Sequence, residues 1–182
     1  AELINHLQIG HDDTILDFGC AKGFLVKAFR LLHREAYGID VSEYAIKESK
    51  ADVSRYLKLI DSTASYPVLA KGSTYDWGIA KDVLEHVPYK EIDGVISNLS
   101  KVCKNLFVAV PLGDGEKYYV DSYELDKTHI IRERLDWWES KFEKNFIIKN
   151  TSYKMKYIKE NYSKYNYGNG FFILQSSRTG EI

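Results

Sequence analysis

From residue 14 to residue 110 of this 182-residue chain, apolar runs of strand length alternate with longer stretches of helical period, and few architectures accept that rhythm. The strand candidates are 14–18 (TILDF), 35–40 (EAYGID), 55–61 (RYLKLID), 75–80 (YDWGIA) and 105–110 (NLFVAV). Helix candidates separate them at 22–33, at 42–52 with Ser42 as N-cap, and at 88–102 with Pro88 in the first turn. Parallel strands need crossover helices of this length, so the pattern predicts stacked βαβ units and an α/β fold.

After Pro111 the rhythm changes. Residues 112–129 are polar, aromatic and punctuated by glycine, and a loop of that length in a compact domain is commonly a lid or a binding loop. A helix is predicted at 131–144, and the runs 144–150 and 170–175 are expected to pair as a terminal antiparallel hairpin. The interval 151–169 between them is rich in lysine and tyrosine. No composition shift marks a boundary, so residues 1–182 read as one domain, with 112–129 and 151–169 as insertions near the substrate side.

Composition narrows the partners. The chain is 45% hydrophobic and holds no apolar run near the roughly 20 residues of a membrane span. A formal charge of −1 gives no general attraction to nucleic acid, so neither a membrane nor a nucleic-acid partner is expected. Cys20 and Cys103 are too few for a disulfide framework or a zinc site, which suggests reduced thiols and a cytoplasmic setting. The start resembles no signal peptide; Met155 is the sole methionine, so something is expected to precede Ala1. Nothing in the pattern signals an oligomeric state.

The stretch TILDFGCAKGFL carries the first chemistry. If 14–18 is a central strand, Gly19, Cys20, Ala21 and Gly23 form the turn into the next helix, where small side chains let backbone N–H groups approach a ligand. Asp17 at the end of that strand would repel a pyrophosphate and favours a cationic group such as the ammonium of an amino acid. Asp40 ends the next strand, 23 positions on, where an acid accepts hydrogen bonds from ribose hydroxyls. Asp61, followed by Ser62, closes the third strand within reach of an adenine amine, and Val41 follows Asp40. An amino-acid end, a ribose and an adenine describe S-adenosylmethionine. Each acid alone has a structural alternative: Asp17 capping a turn, Asp40 preceding a helix N-terminus.

The segments DFGCAKG, GIDVSEYAI and YDWGIAKDVLEHV, in this order, resemble the first motif, the second acidic strand and the fourth motif of class I S-adenosylmethionine-dependent methyltransferases. Ala21 departs from the glycine that often stands there. The resemblance implies a three-layer Rossmann-like fold with a mostly parallel seven-stranded sheet whose last strand is antiparallel. It also implies S-adenosylmethionine as cofactor, S-adenosylhomocysteine as product, and Lys81 and Asp82 on the pocket floor.

KDVLEHVP (81–88) follows the fourth strand, at the sheet edge where open α/β folds bind ligands. Glu85 and His86 would stand beside the reactive end of the cofactor, as walls that position substrate. In ubiquinone-biosynthesis O-methyltransferases and small-RNA ribose methyltransferases, which this segment also resembles, a similar arrangement holds a divalent metal. Asp82, Glu85, His86 and His129 would be its counterpart. The dipeptide Glu-His also occurs without metal, and Asp82 is shorter than the glutamate usual at such sites, so the metal-free reading is adopted. His129, in the sequence DKTH, has two readings: a general base toward an acceptor hydroxyl, or a residue that caps the following helix or pairs with Asp126.

Methyl transfer is an in-line displacement and needs alignment and a dry pocket rather than a covalent nucleophile; the chain accordingly has no GxSxG. Tyr118, Tyr119 and Tyr123 are candidates for the pocket wall or for loop packing. At least one of Trp137 and Trp138 is expected in the core. Lys154, Lys156, Lys159 and Lys164 interleave with tyrosines, a pattern that suits single-stranded RNA or a sugar nucleotide but reads more simply as a solvated insertion. The expected acceptor is an oxygen or nitrogen of a small metabolite or sugar. The competitors are a metal-dependent RNA 2′-O-methyltransferase, a nicotinamide-dependent oxidoreductase, which would want GxGxxG, and a non-catalytic nucleoside-binding module.

Overall fold

The computed structural model describes residues 1–61, 66–68, 74–159 and 167–178. Its centre is a seven-stranded sheet in the order β3-β2-β1-β4-β5-β7-β6. The strands are β1 (Thr14–Phe18), β2 (Glu35–Asp40), β3 (Leu57–Leu59), β4 (Tyr75–Lys81), β5 (Cys103–Pro111), β6 (Phe146–Ser152) and β7 (Asn169–Ser176). The first five are parallel, and β7 runs antiparallel to both β5 and β6. The expected fold class and the terminal hairpin are both present.

The period of two along each strand sends alternate side chains into two cores. Leu16, Leu106, Val108, Phe172 and Leu174 face one layer with α5 (Ile92–Val102) and α6 (Leu135–Phe142), where Trp138 is fully buried against Phe142. Ile15, Ile79, Phe107 and Phe171 face the other, with α1 (Glu2–Leu7), α2 (Phe24–Leu31) and Val53 of α4 (Ala51–Ser54). Burial on both faces explains why the central strands read as continuous apolar runs.

Where the elements differ from expectation, local chemistry gives the reason. The 42–52 helix is two pieces, α3 (Glu43–Lys47) and α4, because Ser49 donates its hydroxyl to the Ile46 carbonyl and Lys50 is extended. Ser42 does cap α3, accepting from Ala45 N at 3.1 Å. Pro88 stands outside α5, in the preceding turn, where its carbonyl accepts from Glu91 N and Ile92 N. The third strand is three residues long at an exposed sheet edge. The helix of the 131–144 run begins only at Leu135, and α1 is too short for its period to show in the sequence.

Between β1 and β4 the strand order reverses, and the crevice above their carboxyl ends is where such sheets take ligands. At the opposite, amino-terminal edge Asp76 locks the same strands. Its carboxylate accepts from Thr14 N and Thr14 Oγ1, both at 2.9 Å, and from Lys104 Nζ at 2.8 Å, joining β1, β4 and β5. Burial alone would raise the Asp76 pKa, but these donors outweigh it and hold the carboxyl below its usual range. A depressed folded pKa contributes stability that is present above the unfolded value near 4 and is lost as pH falls through the folded one. Asp76→Asn is therefore expected to lower unfolding free energy by about 1–2 kcal/mol at pH 7, a gap that closes below about pH 4 in denaturant titrations.

Candidate functional site

The turn after β1 explains the small residues. Gly19 N and Cys20 N both donate to the Ile39 carbonyl, at 2.9 and 3.1 Å, which folds the turn back onto β2. Gly19 has φ +75°, and a Cβ there would collide with the Val83 side chain. Gly23, at φ +77°, caps α2, and a Cβ on it would lie 2.7 Å from Leu57. Ala21 also sits in the left-handed region, at φ +46°, a conformation that costs a non-glycine residue about 1–2 kcal/mol. Asp40 holds it there: Oδ2 accepts from Ala21 N and Oδ1 from Ser42 N, each at 2.7 Å. Each carboxylate oxygen keeps a second lone pair for another donor. Cys20 and Cys103 are buried free thiols, and burial pushes both well above the usual thiol range.

Asp17, only 5% exposed, receives no hydrogen bond among the described residues. Burial, then the neighbouring Asp40, pushes its pKa up to about 8, with Lys81 acting against them.

At the end of β4, Asp82 lies at φ +55° between two lysines. Its Oδ2 is 2.6 Å from Lys81 Nζ, and its Oδ1 accepts from Lys159 Nζ. Burial raises the Asp82 pKa, but Lys159 and Lys81 outweigh it and hold the group low. Lys159 arrives from the connection between β6 and β7 and also contacts Tyr123 Oη and Asn169 Oδ1, each at 3.3 Å. Its side chain is 11% exposed, although in the sequence it looks like its solvated neighbours Lys154 and Lys156. No sequence signal separates it from them.

Glu85, His86 and His129 come together. A 3-10 turn over Leu84–His86 carries the first two, and the Glu85 carbonyl accepts from Ile130 N and Ile131 N, at 2.8 and 3.0 Å, which brings the 112–129 loop over the sheet edge. His129 Nδ1 is 2.9 Å from the Tyr123 carbonyl. A carbonyl only accepts, so Nδ1 bears the proton and Nε2 presents a lone pair, 4.0 Å from Glu85 Oε1 and 3.7 Å from Asp126 Oδ2. Burial, then His86, lowers the His129 pKa, despite Asp126. His86 is fixed likewise, with Nδ1 at 3.2 Å from the Thr128 carbonyl and 2.9 Å from Thr128 Oγ1. The two imidazoles are 4.7 Å apart. Glu85 is 1% exposed, its Oε2 is buried without a partner among the described residues, and burial is the main cause that pushes its pKa up to about 8.

One potential ligand atom from each of Glu85, His86 and His129 lies within 4.8 Å of the others. Asp82 is not in that group, being occupied by its lysines, so the four-residue set drawn from the sequence reduces to three. His129 does not cap the following helix, which starts six positions later at Leu135. A groove of about 380 Å³ at the reversal of strand order is lined by Gly19, Ala21, Asp40, Val41, Asp82 and His86, with Val83 and Ile60 among its apolar walls. Asp61 is exposed beyond Ile60, and Ser62 lies outside the described residues. Of the loop tyrosines, Tyr118 is buried behind His129 with its hydroxyl on the Ile131 carbonyl, Tyr123 holds His129, and Tyr119 faces a separate cleft with Leu112, Tyr153 and Tyr167.

Residues 16–105 match the family model described as a methyltransferase domain. A search of the curated proteins finds no match. Among solved structures, the fold is similar to an S-adenosylmethionine-dependent methyltransferase from Archaeoglobus fulgidus, with TM-score 0.69 and 13% identity over 95% of this chain and 90% of that one. It is also similar to one from Mesorhizobium loti, with TM-score 0.68 and 11% identity over 93% and 94%. A third similarity is to a Haloferax volcanii methyltransferase solved in complex with the Trm112 activator, with TM-score 0.67 and 11% identity over 90% and 82%. The domain match covers the three motifs from β1 to the start of β5, and the parallel strands with an antiparallel β7 agree with the fold the resemblance implied; together they support a class I S-adenosylmethionine-dependent methyltransferase.

Proposed function

We propose that the chain transfers a methyl group from S-adenosylmethionine to an oxygen or nitrogen of a small metabolite or sugar, on the groove between β1 and β4. The observation that carries the reading is the pair of acids at the ends of β1 and β2, one buried without a partner and one with open lone pairs beside a glycine turn. Asp17 takes the ammonium of the methionine end, Gly19 to Gly23 admit the backbone to it, and Asp40 accepts from the ribose hydroxyls. Val41 and Asp61 flank the adenine, while Lys81 and Asp82 form the floor. The cofactor supplies a methyl group on a positively charged sulfur; the protein's part is to align the acceptor and exclude water.

His129 is the general base in this reading. Its Nδ1 proton is spent on the Tyr123 carbonyl, and its low pKa keeps Nε2 unprotonated at neutral pH. Glu85, buried and protonated at pH 7, stands beside it without competing for the proton, and His86 lines the groove toward the acceptor. The neutral state of Glu85 also spares the site a second buried anion next to Asp82. A second reading, a metal-dependent ribose 2′-O-methyltransferase, is favoured by the Glu85, His86 and His129 cluster alone, whose mixed nitrogen and oxygen donors suit a first-row divalent ion.

Calorimetry with S-adenosylhomocysteine tests the cofactor assignment. At pH 7 a carboxyl of pKa about 8 is about nine-tenths protonated, and pairing it with an ammonium drives the proton off. Binding measured in buffers of different ionisation enthalpy should release close to one proton, and the release should vanish in Asp17→Asn. Asp40→Ala should weaken binding at least tenfold; unchanged affinity would remove Asp40 from the site.

His129→Gln should lower kcat by about 10²–10⁴-fold while leaving affinity for S-adenosylhomocysteine intact. In the wild type, kcat should fall on the acid side only below the usual imidazole pKa, because the base must be neutral. Full turnover in the variant would reject the role.

Chelation separates the two readings. Activity on small acceptors is expected to survive dialysis against EDTA, whereas loss of activity restored by manganese would establish the metal-dependent alternative.

A further inference from the structure

Away from the groove, a second cleft of about 530 Å³ opens between α2, the start of β2 and α4, lined by Lys27, Arg30, His33, Arg34, Tyr37 and Tyr56 together with Glu35 and Asp52. It belongs to the carboxyl end of α2, whereas Gly23 and the cofactor groove lie at the amino end, about 12 Å away along an eight-residue helix. The two sites are therefore distinct.

Three cations face two carboxylates here, and both carboxylates are already engaged. Asp52 pairs with Lys27 at 2.6 Å, and Glu35 accepts from the Tyr37 hydroxyl at 2.8 Å. The guanidinium of Arg30 is held rigidly: it lies 3.4 Å over the Tyr56 ring centroid and 4.9 Å from that of Tyr37, and Nε donates to the Ala36 carbonyl at 2.8 Å. Its Nη2 is nevertheless buried without a hydrogen-bond partner among the described residues, and so is Nε of Arg34. Arg34 Nη1 reaches only the Leu32 carbonyl, at 3.2 Å.

Arg30 and Arg34 both line this cleft, and each carries a charged donor without an acceptor among the described residues, which is costly to maintain. A guanidinium presents the forked N–H geometry that matches a tetrahedral oxyanion. The tyrosine faces beneath Arg30 are already covered by the cation, so the cleft offers no open stacking platform for a base. We infer that this cleft binds a phosphate group, with Arg30 and Arg34 as the charged donors and Lys27 at its rim. The phosphate comes either as a phosphomonoester or pyrophosphate on a small molecule, or as a phosphodiester of a nucleic-acid strand.

Sodium pyrophosphate and a single-stranded oligoribonucleotide serve as probes, titrated separately into the full chain and followed by amide chemical shifts and calorimetry. Pyrophosphate is expected to shift the amides of residues 27–37 and 52–56. Arg30→Gln and Arg34→Gln should each weaken it at least tenfold, while Lys90→Gln, an exposed charge elsewhere, should not. S-adenosylhomocysteine affinity should stay unchanged in all three, which shows that they fold; if Arg30→Gln fails to fold, Arg34→Gln decides. Tighter binding of the oligoribonucleotide with the same arginine dependence assigns the site to phosphodiesters, and binding of pyrophosphate alone assigns it to a small phosphorylated molecule. No saturable shift, or weakening by Lys90→Gln equal to that of the arginine variants, would overturn the inference, because general surface charge or ordered water would then account for the cleft.

Discussion

The carboxylate of Asp40 is the keystone of the ligand-binding edge. It bonds the backbone of Ala21 in the turn after β1 and that of Ser42 at the start of α3, so the ends of two adjacent strands and two helix entries share one side chain. These bonds compensate for a left-handed alanine, and together with the Ile39 carbonyl they fix the turn against β2. The same oxygens retain lone pairs for further donors, so the structural duty of Asp40 leaves acceptor capacity unspent.

Around this edge the protein separates its acids by environment. Asp82 stays ionised because two lysines face it, whereas Asp17 and Glu85 are pushed toward the neutral form by burial. The arrangement keeps a charged carboxylate at the end of β4 and two proton-bearing carboxyls elsewhere at the edge, of which Glu85 stands beside the His129 imidazole. It is the usual means by which one fold keeps carboxyl groups in different states at one pH. Lys159 completes it by bringing charge from a distant connection onto Asp82, which couples the β6–β7 segment to the end of β4.

Much of the fold was legible because its signal is local and repeated. The five parallel strands announce themselves as apolar runs at crossover spacing, and Gly19, Gly23 and Asp40 stand at positions where backbone geometry dictates residue type. The candidate cluster was partly legible: Glu85 and His86 adjoin in sequence, and the threonine and histidine of the loop return to them. What the sequence hid are the long-range choices. Asp82 was grouped with the cluster, yet two lysines, one of them 77 positions away, claim it. The break of the 42–52 helix turned on one serine hydroxyl, and Tyr119 faces away from the groove although its neighbour Tyr118 backs His129, since no helical or strand period fixes a loop residue's direction.

The placement of β7 between β5 and β6 has a consequence for biogenesis. Seven residues of β5, 105–111, have their open edge covered only by a strand that ends at Ser176, so during vectorial synthesis the nascent sheet must wait with an unpaired hydrogen-bonding rim. Until that strand emerges, β6 has no sheet to join either, and the half-built domain carries the kind of bare border that attracts neighbouring chains.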